Sequence, residues 1–333
     1  MPREVGLAVV GLGRMGRLYA EIVSRVVEGV RLVAVWSRSR AKCEEVAREL
    51  GARCVETIEG IARDESVEGV IVATPSYTHA DIAAIFVEAG KPVFVEKPID
   101  VDLGKASKLV SLAERKGVPL LVGYMRRFHP DYRRAKEVVE SGELGEPVAY
   151  VGVSKDPEPP PPGWLRDPRL SGGLVLDLAS HDFDLARWFL GEEPIEVYAV
   201  GGELCCPGLG DFDTIVATIR FGRKVATVFS SRKSSYGYDV RSEVHCTEGA
   251  VFIGSTHVST LAIARSQSIA FPGVSWFQKK FFEAYVEEVK HFARVVKGLE
   301  KPLVSGVDAL KALCVAVAVR RSLEDGKPHA VPC

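Results

Sequence analysis

Two short motifs of this chain contain residue types that can take up and release protons. Glu96-Lys97-Pro98 follows an apolar run that predicts a strand. Residues 172–182 predict a helix on which Asp177 and His181, four positions apart, share one face. Histidine titrates near neutral pH, and a lysine can stabilise a developing alkoxide. We therefore predict removal of the proton of an alcohol, with His181 as the base, Asp177 orienting its ring and Lys97 as the cation.

The same residues also allow other interpretations. Asp177 and His181 could be a solvated pair on a helix surface, and Lys97 an ordinary lysine at the end of a strand. A metal site is a further alternative, because Asp182 and Asp184 are close to that pair in sequence. We expect no metal, since both aspartates would project away from the face that Asp177 and His181 share.

A glycine-rich segment near the N-terminus predicts a dinucleotide site. Gly-Leu-Gly-Arg-Met-Gly follows a predicted strand and precedes a predicted helix, the context in which this motif binds pyrophosphate. The first glycine permits a tight turn, the second lets the backbone approach the phosphates, and the third lets the helix pack on the strand. The helix start would supply amide N–H donors. The cofactor-binding residues predicted here are Gly11, Gly13, Arg14, Met15 and Gly16.

The end of the second predicted strand indicates which coenzyme is bound. NAD enzymes usually carry an acidic residue there, about 20 residues beyond the glycines. This chain has Ser37 and Arg38 instead. A serine hydroxyl and a guanidinium can bind a 2′-phosphate, so the pair favours NADP over NAD, with use of both plausible. The alternative is that Arg38 is a solvated arginine at a helix start.

The hydrophobic pattern predicts two domains. Residues 1–123 alternate between short apolar runs and segments of helical period, which is typical of a doubly wound parallel sheet of the Rossmann type. Residues 124–333 have longer strands with few helices between them, and two helices near the end. We predict an α+β domain with a large, mostly antiparallel, open-faced sheet, used for substrate binding and oligomerisation. The polyproline stretch at residues 157–162 would be stiff, either as a spacer or as a lip over the site.

Composition excludes several classes of partner. The formal net charge is −1, so no overall field attracts nucleic acid or an anionic membrane. The longest apolar run, residues 312–319, is far shorter than the roughly 20 residues of a membrane span. A predicted strand begins at Val5, and we expect no signal peptide and a cytoplasmic location.

The seven cysteines show neither a zinc nor a disulfide signature. No two have Cys-x-x-Cys spacing, and their number is odd. Cys43, Cys54 and Cys314 lie in apolar helix-like or strand-like contexts. We expect those three to be small core residues.

These motifs together resemble those of the glucose-fructose oxidoreductase/inositol dehydrogenase/rhizopine-catabolism (Gfo/Idh/MocA) family, over essentially the whole chain. The family's Glu-Lys-Pro motif falls on residues 96–98, its catalytic aspartate and histidine on Asp177 and His181, and its Thr-Pro-x-x-x-His segment on residues 74–79. The resemblance implies a Rossmann domain and a second α/β domain whose sheet builds a homodimer or homotetramer. It also implies that further residues lie at the nicotinamide and its ribose: Thr74, Pro75, His79, Glu96 and Lys97.

Within the family, the chain is most similar to inositol 2-dehydrogenases. Residues 123–132, 154–157 and 231–239 resemble segments of that group. The resemblance implies that substrate hydroxyls are contacted by Arg127, Asp156 and one or both of Tyr236 and Tyr238. We expect an NAD(P)-dependent dehydrogenase that oxidises a secondary hydroxyl of inositol or a pyranose. An NAD-dependent glycosidase of the same fold and a non-catalytic regulator that binds NAD(P) or sugar are the alternatives.

Overall fold

The alternating strands and helices of the N-terminal region fold into a six-stranded parallel sheet in the computed structural model, which describes residues 4–257 and 261–333. The sheet has the order β3-β2-β1-β4-β5-β6, and its central strands are fully buried because helices cover both faces. Its elements are β1 (Val5–Val10), α1 (Arg14–Arg25), β2 (Val30–Trp36), α2 (Arg40–Leu50), β3 (Arg53–Cys54), α3 (Ile58–Arg63), β4 (Gly69–Val72), α4 (His79–Glu88), β5 (Val93–Glu96), α5 (Leu103–Lys116) and β6 (Leu120–Gly123).

A second, seven-stranded sheet has the order β12-β11-β7-β10-β9-β8-β15 and is antiparallel except between β7 and β10. The predicted fold class is therefore confirmed. The elements in chain order are α6 (Pro130–Glu140), β7 (Pro147–Lys155), α7 (Pro168–Ser171), α8 (Ser180–Leu190), β8 (Glu196–Gly202), β9 (Thr214–Phe221), β10 (Lys224–Ser231), β11 (Asp239–Cys246), β12 (Ala250–Ile253), a hairpin of β13 (Ile263–Arg265) and β14 (Ser268–Ala270), α9 (Phe277–Val296), α10 (Gly306–Asp325) and β15 (His329–Ala330).

The chain forms two compact units that are not contiguous in sequence. Unit 1 consists of Met1–Phe128 and Glu283–Leu313, and unit 2 of His129–Phe282 and Cys314–Cys333. In unit 1, the returning segment adds to the Rossmann sheet: the amide N–H of Val122 donates to the carbonyl oxygen of Val304 at 3.0 Å. A single boundary at residue 123 would assign the segment Glu283–Leu313 to the second domain, although it belongs to unit 1. The domain boundary stays a prediction.

One face of the unit 2 sheet is buried and the other is open. Along β9, Ile215, Ala217 and Ile219 are buried, whereas Val216 on the opposite face is exposed. Helix α8 packs on the buried face so closely that a Cβ on Gly152 would come within 2.5 Å of the Asp182 carboxylate. The open face carries apolar side chains on β8, β9 and β10: Tyr198, Val200, Val216 and Val225.

The expectation that the cysteines form no disulfides is wrong, whereas Cys43 and Cys314 are buried in the core as predicted. Cys43 on α2 bonds to Cys54 on β3, and Cys314 on α10 bonds to Cys333. The Cα atoms lie 5.5 Å apart in the first pair and 6.0 Å apart in the second, and both distances are within the range of a disulfide. Sequence spacing could not reveal the pairs, because they depend on where β3 and the C-terminus lie in the folded chain. Within the described residues, no helix is both long and apolar enough to cross a membrane.

Candidate active site

The glycine-rich turn of unit 1 fits a pyrophosphate. Gly11 has φ +93°, and a Cβ there would lie 2.6 Å from the carbonyl oxygen of Ala73. A Cβ on Gly16 would overlap the carbonyl oxygen of Gly11. A Cβ on Gly13, in contrast, would meet no described heavy atom within 4 Å. Gly11 thus permits the turn, Gly16 permits the close helix–strand contact, and Gly13 leaves the backbone open to a ligand, as dinucleotide binding requires.

The start of α1 is open to an anion. Gly13 is its N-cap and can offer no side-chain acceptor, and the first turn of α1 has no acidic residue. The first amide N–H groups and the positive end of the helix dipole therefore suit a phosphate. Arg14 is exposed and Met15 half-buried at the same turn. Gly13, Arg14 and Met15 are thus accessible at this turn, whereas Gly11 and Gly16 are buried and shape it.

The end of β2 carries Ser37 and Arg38, half-buried and exposed respectively. Ser39 caps α2 by accepting from the amide N–H of Lys42 at 3.4 Å. Arg38 therefore stands on the surface, at the point where the second strand meets its helix.

The Thr74–His79 segment is tied to the Glu96-Lys97-Pro98 motif through a buried imidazole. His79 Nδ1 lies 2.7 Å from the carbonyl oxygen of Pro98, and its Nε2 lies 2.7 Å from that of Thr74. Burial lowers the pKa of His79, although the two carbonyl oxygens favour the charged form. The imidazole links two loops at the carboxyl edge of the sheet, where ligands of such folds bind.

Glu96 and Lys97 stand at the carboxyl end of β5, and the Lys97–Pro98 peptide bond is cis. Glu96 is 6% exposed and accepts a hydrogen bond from the hydroxyl of Tyr19 at 3.3 Å. Lys97 is half-buried. The carboxyl edge of the unit 1 sheet therefore carries four of the predicted residues: Thr74, His79, Glu96 and Lys97.

Asp177 and His181 lie on a continuous helical segment of unit 2 that differs from the predicted α-helix. Residues Val175–Ala179 form a π-helical turn, and α8 begins at Ser180. Such turns are rare and are frequent at functional sites. His181 is 5% exposed and Asp177 is half-buried.

An aspartate that the sequence reasoning missed holds the start of this segment. Gly173 has φ +65°, and a Cβ there would clash with the carboxylate of Asp211. Asp211 accepts from the amide N–H of Leu174 at 2.9 Å and pairs with Arg320 at 2.7 Å. The close approach of Asp211 thus explains Gly173, whereas Gly172 has φ +80° and a Cβ there would come within 2.5 Å of Leu176. No local sequence signal points to that residue.

Arg232 joins two predicted site residues. Its Nη1 lies 2.8 Å from Asp177 Oδ2 and 3.1 Å from Asp156 Oδ2, and the arginine itself is 3% exposed. Burial lowers the pKa of Arg232, but the two carboxylates outweigh burial and raise it. Sequence reasoning used Arg232 only as part of a resembling segment and gave it no role.

The remaining predicted substrate residues differ in their surroundings. The hydroxyl of Tyr236 donates to Asp239 at 2.8 Å and accepts from Lys155 at 3.0 Å. Tyr238, 4% exposed, lies among aromatic rings that include Phe281. In unit 1, Arg127 is buried and donates to Asp308 at 3.4 Å. Tyr236 is accessible, whereas Tyr238 and Arg127 are packed inside their own units.

The aspartates of the metal alternative have other contacts. Asp182 is fully buried and accepts hydrogen bonds from the hydroxyls of Tyr150, at 2.8 Å, and Ser154. A different group, Cys205, Cys206 and Asp213, brings possible ligand atoms within 4.8 Å of one another. Asp213 uses both carboxylate oxygens to accept from backbone amides of residues 204–206, and burial raises the pKa of Cys206 to about 11. Both features oppose metal binding there, since thiolates are the ligands.

Comparisons with known proteins match both regions of the chain. A family model described as "Oxidoreductase family, NAD-binding Rossmann fold" matches residues 5–124. A second model, described as "GFO/IDH/MocA C-terminal domain", matches residues 132–252. The two models thus cover the Rossmann sheet and most of the second sheet.

Individual relatives match over nearly their full length. The scyllo-inositol 2-dehydrogenase (NAD(+)) of Bacillus subtilis is 37% identical over 98% of this chain and 96% of its own. The inositol 2-dehydrogenase of Rhizobium meliloti is 33% identical over 98% and 99%. Among solved structures, scyllo-inositol dehydrogenase from Lactobacillus casei with bound NAD(H) and scyllo-inositol matches with a TM-score of 0.92, at 26% identity, over 99% of this chain and 100% of that one.

Proposed function

Because the chain belongs to the Gfo/Idh/MocA oxidoreductase family, we propose that it oxidises one secondary hydroxyl of a cyclic polyol or sugar, of the inositol or pyranose type. Its N-terminal region is an NAD-binding Rossmann fold, and it acts on CH–OH groups. Inositols are the first substrates to test, because relatives that match over nearly their full length are named for them.

The observation that carries the proposal is the cluster around Arg232. This buried cation contacts Asp177, which we assign to proton handling, and Asp156, which we assign to a substrate hydroxyl. Both carboxylates are thereby held in fixed positions by charge-assisted contacts. A polyol needs several such acceptors, and a site that pairs each hydroxyl rejects analogues that lack one.

In the proposed reaction, His181 accepts the hydroxyl proton, Asp177 orients the imidazole or a neighbouring hydroxyl, and Lys97 stabilises the alkoxide. The nicotinamide coenzyme, when bound, supplies the acceptor for the hydride. The substrate hydroxyls are assigned to Arg127, Asp156, Tyr236 and Tyr238.

The coenzyme is NADP or NAD in this proposal. The relative from Bacillus subtilis is named for NAD(+), whereas Ser37 and Arg38 replace the usual acid and favour a 2′-phosphate. Replacement Arg38→Ala separates the two cases. If Arg38 binds the phosphate, this variant weakens NADP binding much more than NAD binding, and equal losses would mean that Arg38 only covers the adenine.

A substrate screen tests the proposal directly. Inositols and aldoses are supplied with NAD and with NADP in parallel, and the absorbance of the reduced nicotinamide is followed. We expect reduction with at least one inositol or pyranose. Hydrolysis of a glycoside without net reduction of added coenzyme would indicate the glycosidase. Tight coenzyme binding with neither reaction would indicate the regulator.

The open face of the second sheet is proposed to form the subunit interface of a homodimer or homotetramer. Val200 and Val216 lie directly opposite each other on β8 and β9 and are 50% and 38% exposed. Contiguous apolar surface of this kind marks an interaction site.

A further inference from the structure

A buried tyrosine lies between two carboxyl groups in unit 1. The Tyr19 hydroxyl on α1 is 3.0 Å from Glu288 Oε2 on α9 and 3.3 Å from Glu96 Oε1 at the end of β5. Tyr19 and Glu288 are fully buried, and Glu96 is 6% exposed. The rings of Phe94 and Tyr285 pack edge-on against Tyr19, with centroids 5.1 and 5.9 Å away. The Tyr19 hydroxyl and the two carboxyl groups are thus shielded from solvent, with aromatic rings packed against Tyr19.

Counting hydrogens assigns a proton to this cluster. The Tyr19 hydroxyl has one hydrogen and can donate to only one of the two carboxyl groups. If both were ionised, the second carboxylate would face a phenolic lone pair at hydrogen-bond distance, which is repulsive. One carboxyl group must therefore be a neutral acid that donates to Tyr19, and Tyr19 then donates to the other.

The neutral acid is Glu288. Its Oε1 has no hydrogen-bond partner among the described residues, which a carbonyl oxygen tolerates far better than a carboxylate oxygen. Burial raises the pKa of Glu288 well above its usual range, and the negative charge of Glu96 adds to the effect. Tyr19 stays a phenol, because burial and both glutamates raise its pKa, with Tyr285 contributing.

We propose that Glu288 is a positioning residue for the reaction. As a carboxylic acid it donates to Tyr19, Tyr19 donates to Glu96, and Glu96 is thereby held ionised and in one orientation beside Lys97. This inference rests on the proposed function for the role of Lys97, but the protonation state of Glu288 does not depend on it. Residues from two separate helices, Tyr19 on α1 and Glu288 on α9, thus support the Glu96-Lys97-Pro98 motif.

Three substitutions test the chain of donors. Glu288→Gln keeps a neutral group that can donate through its amide, so kcat should stay within about twofold of wild type. Glu288→Leu and Tyr19→Phe each remove a donor, so kcat should fall roughly tenfold, as for loss of a residue that orients a reacting group. In Tyr19→Phe the acid limb of the kcat profile should also move to higher pH, because Glu96 loses its donor and a carboxylate without a donor is protonated more easily. In Glu288→Leu the Tyr19 hydroxyl can still donate to Glu96, so the acid limb should stay where it is in wild type.

Two controls make the result decisive. Tyr132→Phe removes another buried tyrosine hydroxyl, one bonded to Ser242 in unit 2, and should change neither kcat nor the pH profile. If Glu288→Leu does not fold, Tyr19→Phe carries the same test. If kcat and the acid limb are unchanged in Tyr19→Phe, the cluster contributes only packing. If kcat falls as far in Glu288→Gln as in Glu288→Leu, Glu288 acts as a carboxylate. Either result overturns the proposal.

Infrared difference spectroscopy of wild type against Glu288→Gln supplies a readout without substrate. At pH 7 we expect a carboxylic acid carbonyl band that is lost in the variant. A carboxylate band in its place would refute the neutral acid even if the enzyme oxidises polyols. The expected band in a protein that oxidises no polyol or sugar would leave Glu288 neutral while the proposed function fails.

Discussion

Arg232 illustrates how much a single buried side chain organises in this protein. It contacts the carboxylates of Asp156 and Asp177, which lie 21 residues apart in the chain. Removing it leaves two partly buried carboxylates without their shared cation. Removing one partner of a buried ion pair typically destabilises a protein by about 3–5 kcal/mol, because the other charge is left buried without a partner. The net contribution of the intact pair to stability is much smaller.

The contacts of Arg232 predict coupling with Asp156. Arg232→Met should destabilise the protein by about 3 kcal/mol, and Asp156→Asn in that background should recover part of the loss, because it removes an unpaired charge. Urea unfolding of the two single variants and the double variant measures this coupling. Additive effects would show that the two side chains act independently.

The proposed proton-handling groups give a kinetic prediction. Lys97→Ala and His181→Ala should each lower kcat by about 10²–10⁴-fold, the contribution of a positioned acid–base group, with coenzyme binding largely kept. Lys108→Ala on the exposed side of α5 and His245→Ala on β11 are matched controls and should retain full activity. Wild-type turnover in both test variants would remove these residues from the mechanism.

The buried acid gives a prediction of stability against pH. Because the folded pKa of Glu288 is raised, the folded protein keeps a proton that the unfolded chain loses above about pH 4.5. This group's contribution is therefore fully present at low pH and is lost as pH rises toward the folded pKa, by about 1.4 kcal/mol per pH unit. Glu288→Gln cannot titrate, so its unfolding free energy should exceed that of wild type increasingly with pH over this window. Parallel curves from pH 5 to 8 would contradict the raised pKa.

At the level of residues, local motifs were accessible from sequence and distant partners were not. The glycine motif and the Asp177/His181 pair each span only a few consecutive positions, so both are visible as local sequence patterns. Tyr19 and Glu288 are 269 residues apart, and only the fold brings their oxygens to 3.0 Å. No pattern of residue types encodes that contact, which is why the sequence gives no hint of Glu288.

At the level of elements, long apolar strands were predicted well and short or unusual elements poorly. The apolar patterns of residues 5–10, 147–155 and 250–253 each predict a strand, and the structure has strands with those bounds, Val5–Val10, Pro147–Lys155 and Ala250–Ile253. The two-residue strand Arg53–Cys54 was missed because its pairing with β2 rather than its own composition defines it. The π-helical turn at Val175–Ala179 was read as α-helix, since side-chain period alone cannot separate the two over five residues.

The disulfides give a prediction at this scale. Cys43–Cys54 closes a short loop between α2 and β3, and such a crosslink stabilises by about 3 kcal/mol, mainly through the unfolded chain. The double variant Cys43→Ala/Cys54→Ala should therefore unfold at a lower temperature than wild type under non-reducing conditions. Cys246→Ala, which removes an unpaired thiol, is the control.

Thiol titration checks the pairing itself. In urea without reductant, three of the seven cysteines should react, namely Cys205, Cys206 and Cys246. Seven reactive thiols would show that neither bond forms. Disulfides are rare in the cytosol of mesophiles but common in proteins of hyperthermophiles, so the result also bears on the cellular location, which stays a prediction.

At the level of the whole molecule, the family resemblance drawn from the motifs is confirmed by models and relatives that span the chain. The class of reaction follows from the family. The individual substrate does not, because the proposed recognition of a polyol by side chains such as Tyr236 and Asp156 would depend on small displacements that residue types do not specify.

Assembly is the prediction that belongs to this scale. A charge on the open sheet face should disrupt a subunit interface there, so Val216→Asp should sediment as a smaller species than wild type at micromolar concentration. Leu299→Asp is a matched control, because Leu299 is an exposed leucine of unit 1 and lies outside the sheet. A wild-type protein that sediments as a monomer would count against the interface.

The return of residues 283–313 to the first unit has a practical consequence. A fragment that stops at residue 128 would lose the carbonyl oxygen of Val304 that receives Val122 and the backbone of Gly306 that packs on Leu120. It would also uncover Phe94, whose ring meets Phe292. The nucleotide-binding half therefore cannot be excised by a single cut. Recombination between homologous genes must exchange both pieces together to keep its hydrophobic interior closed.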